Sequence, residues 1–237
     1  MNWKNPENQT TKGEIIALLN LNRSDVTNNI RSNIYILPSN INIQHKTWHF
    51  PRSSIIIDSS SIDVNNLRFN HQDQKMAING KITQNPEDTL EVNFSDLQMD
   101  YANLLFPKGN VVLNGIINGQ ARLADLYNEP TFQTDLNIDT LIFNHERIGN
   151  THLESQWQNK TQTVKLHVES KRGQLKTLDI EGQYEPANKT LDFDINLDKL
   201  RMAALNPILE KSFSDFNGAL SGYLKLTGTL NQPRFNG

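Results

Sequence analysis

The chain has 237 residues, Lys+Arg 23 against Asp+Glu 26, a formal net charge of -3, no cysteine and 36% hydrophobic residues. That balance offers no basic field for nucleic acid, no disulfide framework, and too little apolar material for a sheet buried on both faces. The longest apolar runs, such as Ile55-Ile56-Ile57, are far too short to span a bilayer.

The first residues, Met1-Asn2-Trp3-Lys4-Asn5-Pro6, have no apolar core of the kind a signal peptide needs, so any export address is expected outside this segment. Residues 1–40 are expected to form a partly disordered or helical N-terminal segment, with helical material from Lys12 to Leu21. From Ile41 onward apolar and polar residues alternate almost without interruption, the mark of half-buried strands.

Ile41, Ile43, Trp48 and Phe50 begin the series, followed by Ile62, Val64, Leu67 and Phe69 across a one-residue slip. Further strands are predicted around Ile78, around Leu90, Val92 and Phe94, and around Val111, Leu113 and Ile117. Leu136 and Ile138 come next, then Val164, Leu166 and Val168, then Leu178 and Ile180. Leu191, Phe193 and Ile195 precede a last run with Leu220, Leu224 and Leu226. The intervening positions, such as Asp192 and Asp194, are polar, so one face of each strand is wetted. Slips at Leu67/Phe69 and Leu141/Phe143 predict β-bulges or turns.

Asn85-Pro86-Glu87-Asp88, Asn128-Glu129-Pro130, Glu185-Pro186-Ala187-Asn188 and Asn231-Gln232-Pro233 read as turns. Beyond the N-terminal stretch, helix is predicted at Tyr101–Phe106 and at Asn206–Phe213, the latter with Asn206 as N-cap and Pro207 at the first helical position.

The segment from Met76 to Phe132 resembles that from Leu178 to Phe235. Gly80 matches Gly182, Met99 matches Met202, Gly119 matches Gly222, and Asn128-x-Pro130-x-Phe132 matches Asn231-x-Pro233-x-Phe235. Repeated supersecondary units imply stacking, each covering its neighbour's edge. The second copy reaches Gly237 before a strand equivalent to Asp135–Ile138, so the segment is read as a piece of a longer repetitive protein.

No catalytic or metal constellation is found. His45 and His49 have helical metal-pair spacing but fall in a strand-like stretch without HExxH. The carboxylates sit on wetted strand faces, in no EF-hand pattern, and no G-x-S-x-G, Walker or Rossmann motif occurs. The chain is therefore not expected to be an enzyme or to carry a cofactor.

The stretch Asn217-Gly218-Ala219-Leu220-Ser221-Gly222-Tyr223-Leu224-Lys225-Leu226-Thr227-Gly228-Thr229-Leu230-Asn231-Gln232-Pro233 resembles the repeats of the TamB family of envelope proteins, within the AsmA-like superfamily. Ile180-Glu181-Gly182-Gln183-Tyr184-Glu185-Pro186 is similar to TamB strands of Bacteroides-like bacteria. The first copy has Asp125-Leu126 where the second has Gly228-Thr229.

The resemblance implies an elongated curled single sheet, a β-taco, with an apolar groove and one or two short helices. A β-solenoid or a β-sandwich is the alternative. It divides the chain into the N-terminal segment 1–40, a first repeat region 41–132 and a second, truncated one 133–237. It also implies a periplasmic location within an inner-membrane-anchored protein, an outer-membrane Omp85-type partner similar to TamA, and a part in phospholipid transport and outer-membrane biogenesis.

The groove is expected along the apolar positions just named, from Ile78 to Leu226. Acyl chains suit such a surface, since each buried CH₂ gains roughly 0.8 kcal/mol without sequence-specific contacts. Two other readings are a chaperone that takes outer-membrane strands by β-augmentation and a glycan-binding or adhesive domain using Trp48 or Trp157 as a platform.

Overall fold

The computed structural model describes residues 3–4, 10–23, 29–105, 111–205 and 218–237. Among the described residues the fold is all-β, built of antiparallel strands with two short 3-10 turns. The strands are β1 Trp3–Lys4, β2 Thr10–Glu14, β3 Ala17–Arg23, β4 Ile30–Ile36, β5 Ser39–Ile43, β6 Lys46–Phe50, β7 Ser53–Ile57, β8 Ile62–His71 and β9 Gln74–Ile82. Then come β10 Thr89–Gln98, β11 Leu113–Ala124, β12 Thr131–Phe143, β13 Glu146–Gln158, β14 Thr163–Arg172, β15 Leu175–Glu185, β16 Thr190–Arg201, β17 Ala219–Thr229 and β18 Gln232–Asn236.

Two compact units divide the chain, one of Met1–Asp96 with Gln120–Thr131 and one of Leu97–Gly119 with Phe132–Gly237. In the first, β3, β4, β7, β8, β9 and β10 pair in that order. The long β8 also bridges to β6 through Asn70 and His49, and β6 pairs onward to β5 and β2. Trp48, Phe50, Val64 and Ile82 are buried there, and the Phe50 ring meets the edge of Phe69 at a centroid distance of 4.7 Å. In the second unit β12 to β18 form an unbroken meander in chain order. Its core gathers Ile138, Leu141, Ile148, Leu197 and Leu200, with Met99 and Leu113 packed against it.

The stretch Lys12–Leu21, expected to be helical, is instead the strands β2 and β3. Its apolar residues are consecutive rather than spaced to make one helical stripe, and the β4 edge pairs with every residue from Ala17 to Arg23. Gly13 fits this pairing, because a Cβ there would lie 2.5 Å from the Ile41 Cα on the adjacent strand. The 3-10 turn Met99–Leu105 stands where the first helix was expected. The second expected helix, Asn206–Phe213, lies outside the described residues, just after the 3-10 turn Met202–Leu205.

Both predicted slips are bulges, with register shifts between Val64 and Leu67 and between Ile138 and Leu141. A third lies between Leu197 and Leu200, where the sequence makes the same three-residue apolar step without its having been read as a bulge, and a further shift lies between Ser170 and Lys171. The shifts at Val64/Leu67, Ile138/Leu141 and Leu197/Leu200 use one device. A residue with positive φ (Asn66, Thr140 or Lys199) turns its amide out of the ladder. A side-chain oxygen on the following strand then accepts it: Asn79 Oδ1 at 2.8 Å, Asn150 Oδ1 at 3.1 Å and Ser221 Oγ at 2.9 Å. The extra residue bends the strand without leaving a donor unpaired.

The duplication is legible in the backbone. Asp96 and Lys199 both have φ near 50°, and Gly119 and Gly222 are both in the positive-φ region. Asp125, which replaces Gly228 of the second copy, still holds a φ of 51°. Asp at this position takes the left-handed turn that Gly takes in the second copy, as Asp tolerates that region better than most residues.

Candidate functional site

In the second unit the register lines up apolar side chains in rows across the meander. One row runs Leu136, Leu153, Val168, Ile180, Ile195 and Leu224, directly opposite one another on β12 to β17. Beside it run Leu166, Gly182, Phe193 and Leu226, and then Val164, Tyr184 and Leu191. Cross-strand neighbours on one face of a sheet lie about 5 Å apart, so each row is a continuous apolar strip. Of the six-residue row only Val168 is buried; the others are half-buried. A sheet face packed under a second layer would bury them all.

In the first unit the matching rows are Leu19, Ile34, Ile55 and Val64, and Leu67, Ile78 and Val92, with Phe69, Met76 and Phe94 beside the latter. Within this unit Ile78, Leu90, Val92 and Phe94 are half-buried. In the second unit Val111, Leu113, Ile117, Leu136, Val164, Leu166, Leu178, Ile180, Leu191, Ile195, Leu220, Leu224 and Leu226 are half-buried, and Ile138, Val168 and Phe193 are buried. None of the twenty expected groove positions is exposed to solvent on the wetted face.

Sequence reasoning left Leu153 out of the stripe, although His152 and Glu154 flank it with the right alternation. It also gave no sign of the polar seam at one end of the rows. Thr151 and Ser170 share a hydroxyl–hydroxyl hydrogen bond of 2.7 Å, and Thr177 Oγ1 donates to the Ile148 carbonyl at 2.8 Å, all three being buried. Small hydroxyl residues in strands look like wetted-face residues until the register is known.

The opposite face carries charge. Across β12 to β17 one row reads Asp135, Glu154, His167, Glu181, Asp194 and Lys225, and the next reads Asn137, His152, Glu169, Asp179, Asn196 and Tyr223. His167 Nε2 lies 3.1 Å from Asp179 Oδ1, and Lys176 Nζ lies 2.7 Å from Glu169. Lys171 beside Glu169, with Lys176 adding to it, holds that carboxyl down to about 2. Lys225 bridges Asp192 at 2.7 Å and Asp194 at 3.1 Å, and Tyr223 donates its hydroxyl to Asp194. The Asp194 carboxyl is lowered by Tyr223 first and Lys225 second. These are exposed ion pairs, each of small worth in stability. Their effect is to keep this face in water.

Among the described residues no three of His, Asp and Glu come together as a metal cluster. His45 sits in the β5–β6 turn with a φ of 62°, while His49 lies in β6 and bonds Asn40 Oδ1 at 2.6 Å, so the two are not a pair. Trp48 is buried, and Trp157 is half-buried with its Nε1 donating to Asn159 Oδ1 at 2.7 Å and its ring stacked near Phe132. No helix among the described residues is long and apolar enough to cross a membrane.

Comparison with protein-family models, with curated proteins and with solved structures finds no match to this chain.

Proposed function

We propose that this chain is a section of a TamB-like protein of the periplasm, anchored in the inner membrane. Its apolar sheet face carries phospholipid acyl chains between inner and outer membranes in support of outer-membrane biogenesis. An outer-membrane Omp85-type protein similar to TamA is the partner this reading brings with it.

The observation that carries the proposal is the row Leu136, Leu153, Val168, Ile180, Ile195 and Leu224, aliphatic on six successive strands and for the most part only half-buried. A methylene chain laid along such a row exchanges water for apolar contact at roughly 0.8 kcal/mol per buried CH₂. The surface asks for no fixed headgroup. Solvent extraction of the purified chain followed by mass spectrometry tests the reading. Phospholipid is expected in the wild type and lost in Ile195→Asp and Leu224→Asp. A lipid-free wild type that also binds no detergent sinks it.

A second reading rests on β18, which pairs with β17 and is exposed at all five positions, Phe235 to 51%. Such an edge suits strand addition by an outer-membrane protein segment. Photo-cross-linkers at 233 and 235 would capture unfolded barrel strands under this reading, and cross-linkers on the apolar rows would not.

A further inference from the structure

The apolar face of the second unit changes character toward one end of its strands. The rows through Ile195 are aliphatic, but the last row across β12 to β16 reads Phe132, Trp157, Val164, Tyr184 and Leu191. Phe132 falls opposite Trp157, one step beyond the Gln133–Gln156 pair, and the two rings stack with centroids 6.4 Å apart and planes inclined by 29°. These strands are described without a break from Thr131 to Arg201.

Side chains stand roughly perpendicular to a sheet. Trp157 and Tyr184 therefore rise as two walls on either side of Val164, which pairs directly with both. Phe132 takes the outer side of Trp157, and Leu191, opposite Tyr184 on β16, takes the outer side of that ring. The inner ring faces look onto Val164, and all three residues are half-buried. Phe193 leans its ring over Gly182, the next inward position on the Tyr184 strand, and so closes the inner end of the slot with a third aromatic group.

The width of the slot selects what fits. Neighbouring strands are about 4.8 Å apart, so walls two strands apart have centres about 9.5 Å apart. A methylene chain or a flat ring meets carbon at about 3.5–4.0 Å on each side and fills only about 7–8 Å. A rounder group fills the rest. A cation midway lies about 5 Å from each ring, inside the ~6 Å over which the negative face of an aromatic ring attracts positive charge. The row supplies no charge of its own, since Phe132, Trp157, Val164, Tyr184 and Leu191 are all uncharged.

We propose that the slot over Val164, between Trp157 and Tyr184, binds a quaternary ammonium group of trimethylammonium size. The group is carried by the choline headgroup of a phospholipid or by a small free alkylammonium. In the first case the slot adds headgroup choice to rows that by themselves ask for none, and that case alone rests on the acyl-chain reading above.

Isothermal titration calorimetry of the intact chain tests this with two probes, choline and its uncharged isostere in which tert-butyl replaces trimethylammonium. Choline is expected to bind about tenfold more tightly, the worth of two modest cation–π contacts. Trp157→Leu and Tyr184→Leu are each expected to weaken choline about fivefold with little change for the isostere. Tyr184→Phe, which keeps the ring, is expected to retain choline binding and separates loss of the ring from loss of the fold. Equal affinity for choline and the isostere, or no choline binding, overturns the proposal. Phosphatidylcholine and phosphatidylethanolamine of one short acyl length separate the two sources. A preference for phosphatidylcholine that Tyr184→Leu abolishes assigns the slot to a lipid headgroup, and choline binding without that preference assigns it to a free alkylammonium. Equal binding of both lipids with no choline binding overturns the slot and leaves the acyl-chain reading standing. Choline binding with neither lipid bound does the reverse.

Discussion

Asn144 Nδ2 donates a 2.9 Å hydrogen bond to the carbonyl of Ala204, sixty residues on, while its Oδ1 accepts the Val112 amide at 2.8 Å. One buried amide thus ties the turn after β12 to the 3-10 turn after β16 and to the start of β11. It does so from a backbone with a φ of 49°. Asn144→Ala leaves a buried donor and a buried acceptor unpaired and adds left-handed strain, an expected loss of about 3 kcal/mol. Asn144→Gly removes the strain alone and should recover about 1 kcal/mol of it. Urea midpoints of the two variants check the order; an Ala variant within error of wild type would remove Asn144 from this role.

Gly182 faces the next strand so closely that a Cβ would lie 2.1 Å from the Asp192 carbonyl and 2.7 Å from the Phe193 ring, which lies over it. Gly182→Val should push β15 and β16 apart and cost more than about 3 kcal/mol, the scale of severe overpacking. Gly173, with a φ of 61° and nothing within 4 Å, is the control. Gly173→Ala should cost only the left-handed conformation, about 1 kcal/mol. Equal losses at the two sites in thermal or urea unfolding would contradict the account.

Glu169 supplies the clearest pH dependence. Lys171 and Lys176 lower its carboxyl from the ordinary 4.5 to about 2. A depressed carboxylate contributes stability that is fully present above the unfolded-state value and is lost as pH falls through the folded one. The window is therefore from about pH 4.5 down to about pH 2. Carboxyl carbon NMR should show Glu169 titrating near the bottom of that window. In Lys171→Met/Lys176→Met its midpoint should move up toward 4.5, and added salt should shift the wild type the same way.

The two faces of the sheet should respond differently to the same charge. Ile195→Asp interrupts the aliphatic row and is expected to remove bound phospholipid. Gln156→Asp places an equal charge on the wetted face, opposite Lys165, and is expected to leave lipid content unchanged. Circular dichroism of both establishes that the fold persists. Lipid lost equally from both variants would break the link to the apolar row.

Alternation alone made the all-β class, the wetted face and the bulges after Val64 and Ile138 readable. Side chains in a strand alternate with period two, so Val164, Leu166 and Val168 declare a face without any knowledge of their neighbours. The duplication was equally plain, and the backbone repeats it even at Asp125, where the glycine is gone. What the sequence could not decide was register and pairing. Lys12–Leu21 has the composition of either a helix or a strand, and pairing with β5 and β4 made it two strands. The step from Leu197 to Leu200 marks the bulge at Lys199, but the acceptor of its amide, Ser221 on the next strand, is twenty-two residues away and no local pattern names it. The seam of Thr151, Ser170 and Thr177 is buried because the register sets it among Ile138, Ile148 and Leu197. Local sequence fixes which way each side chain points; the tertiary structure alone decides what it points at.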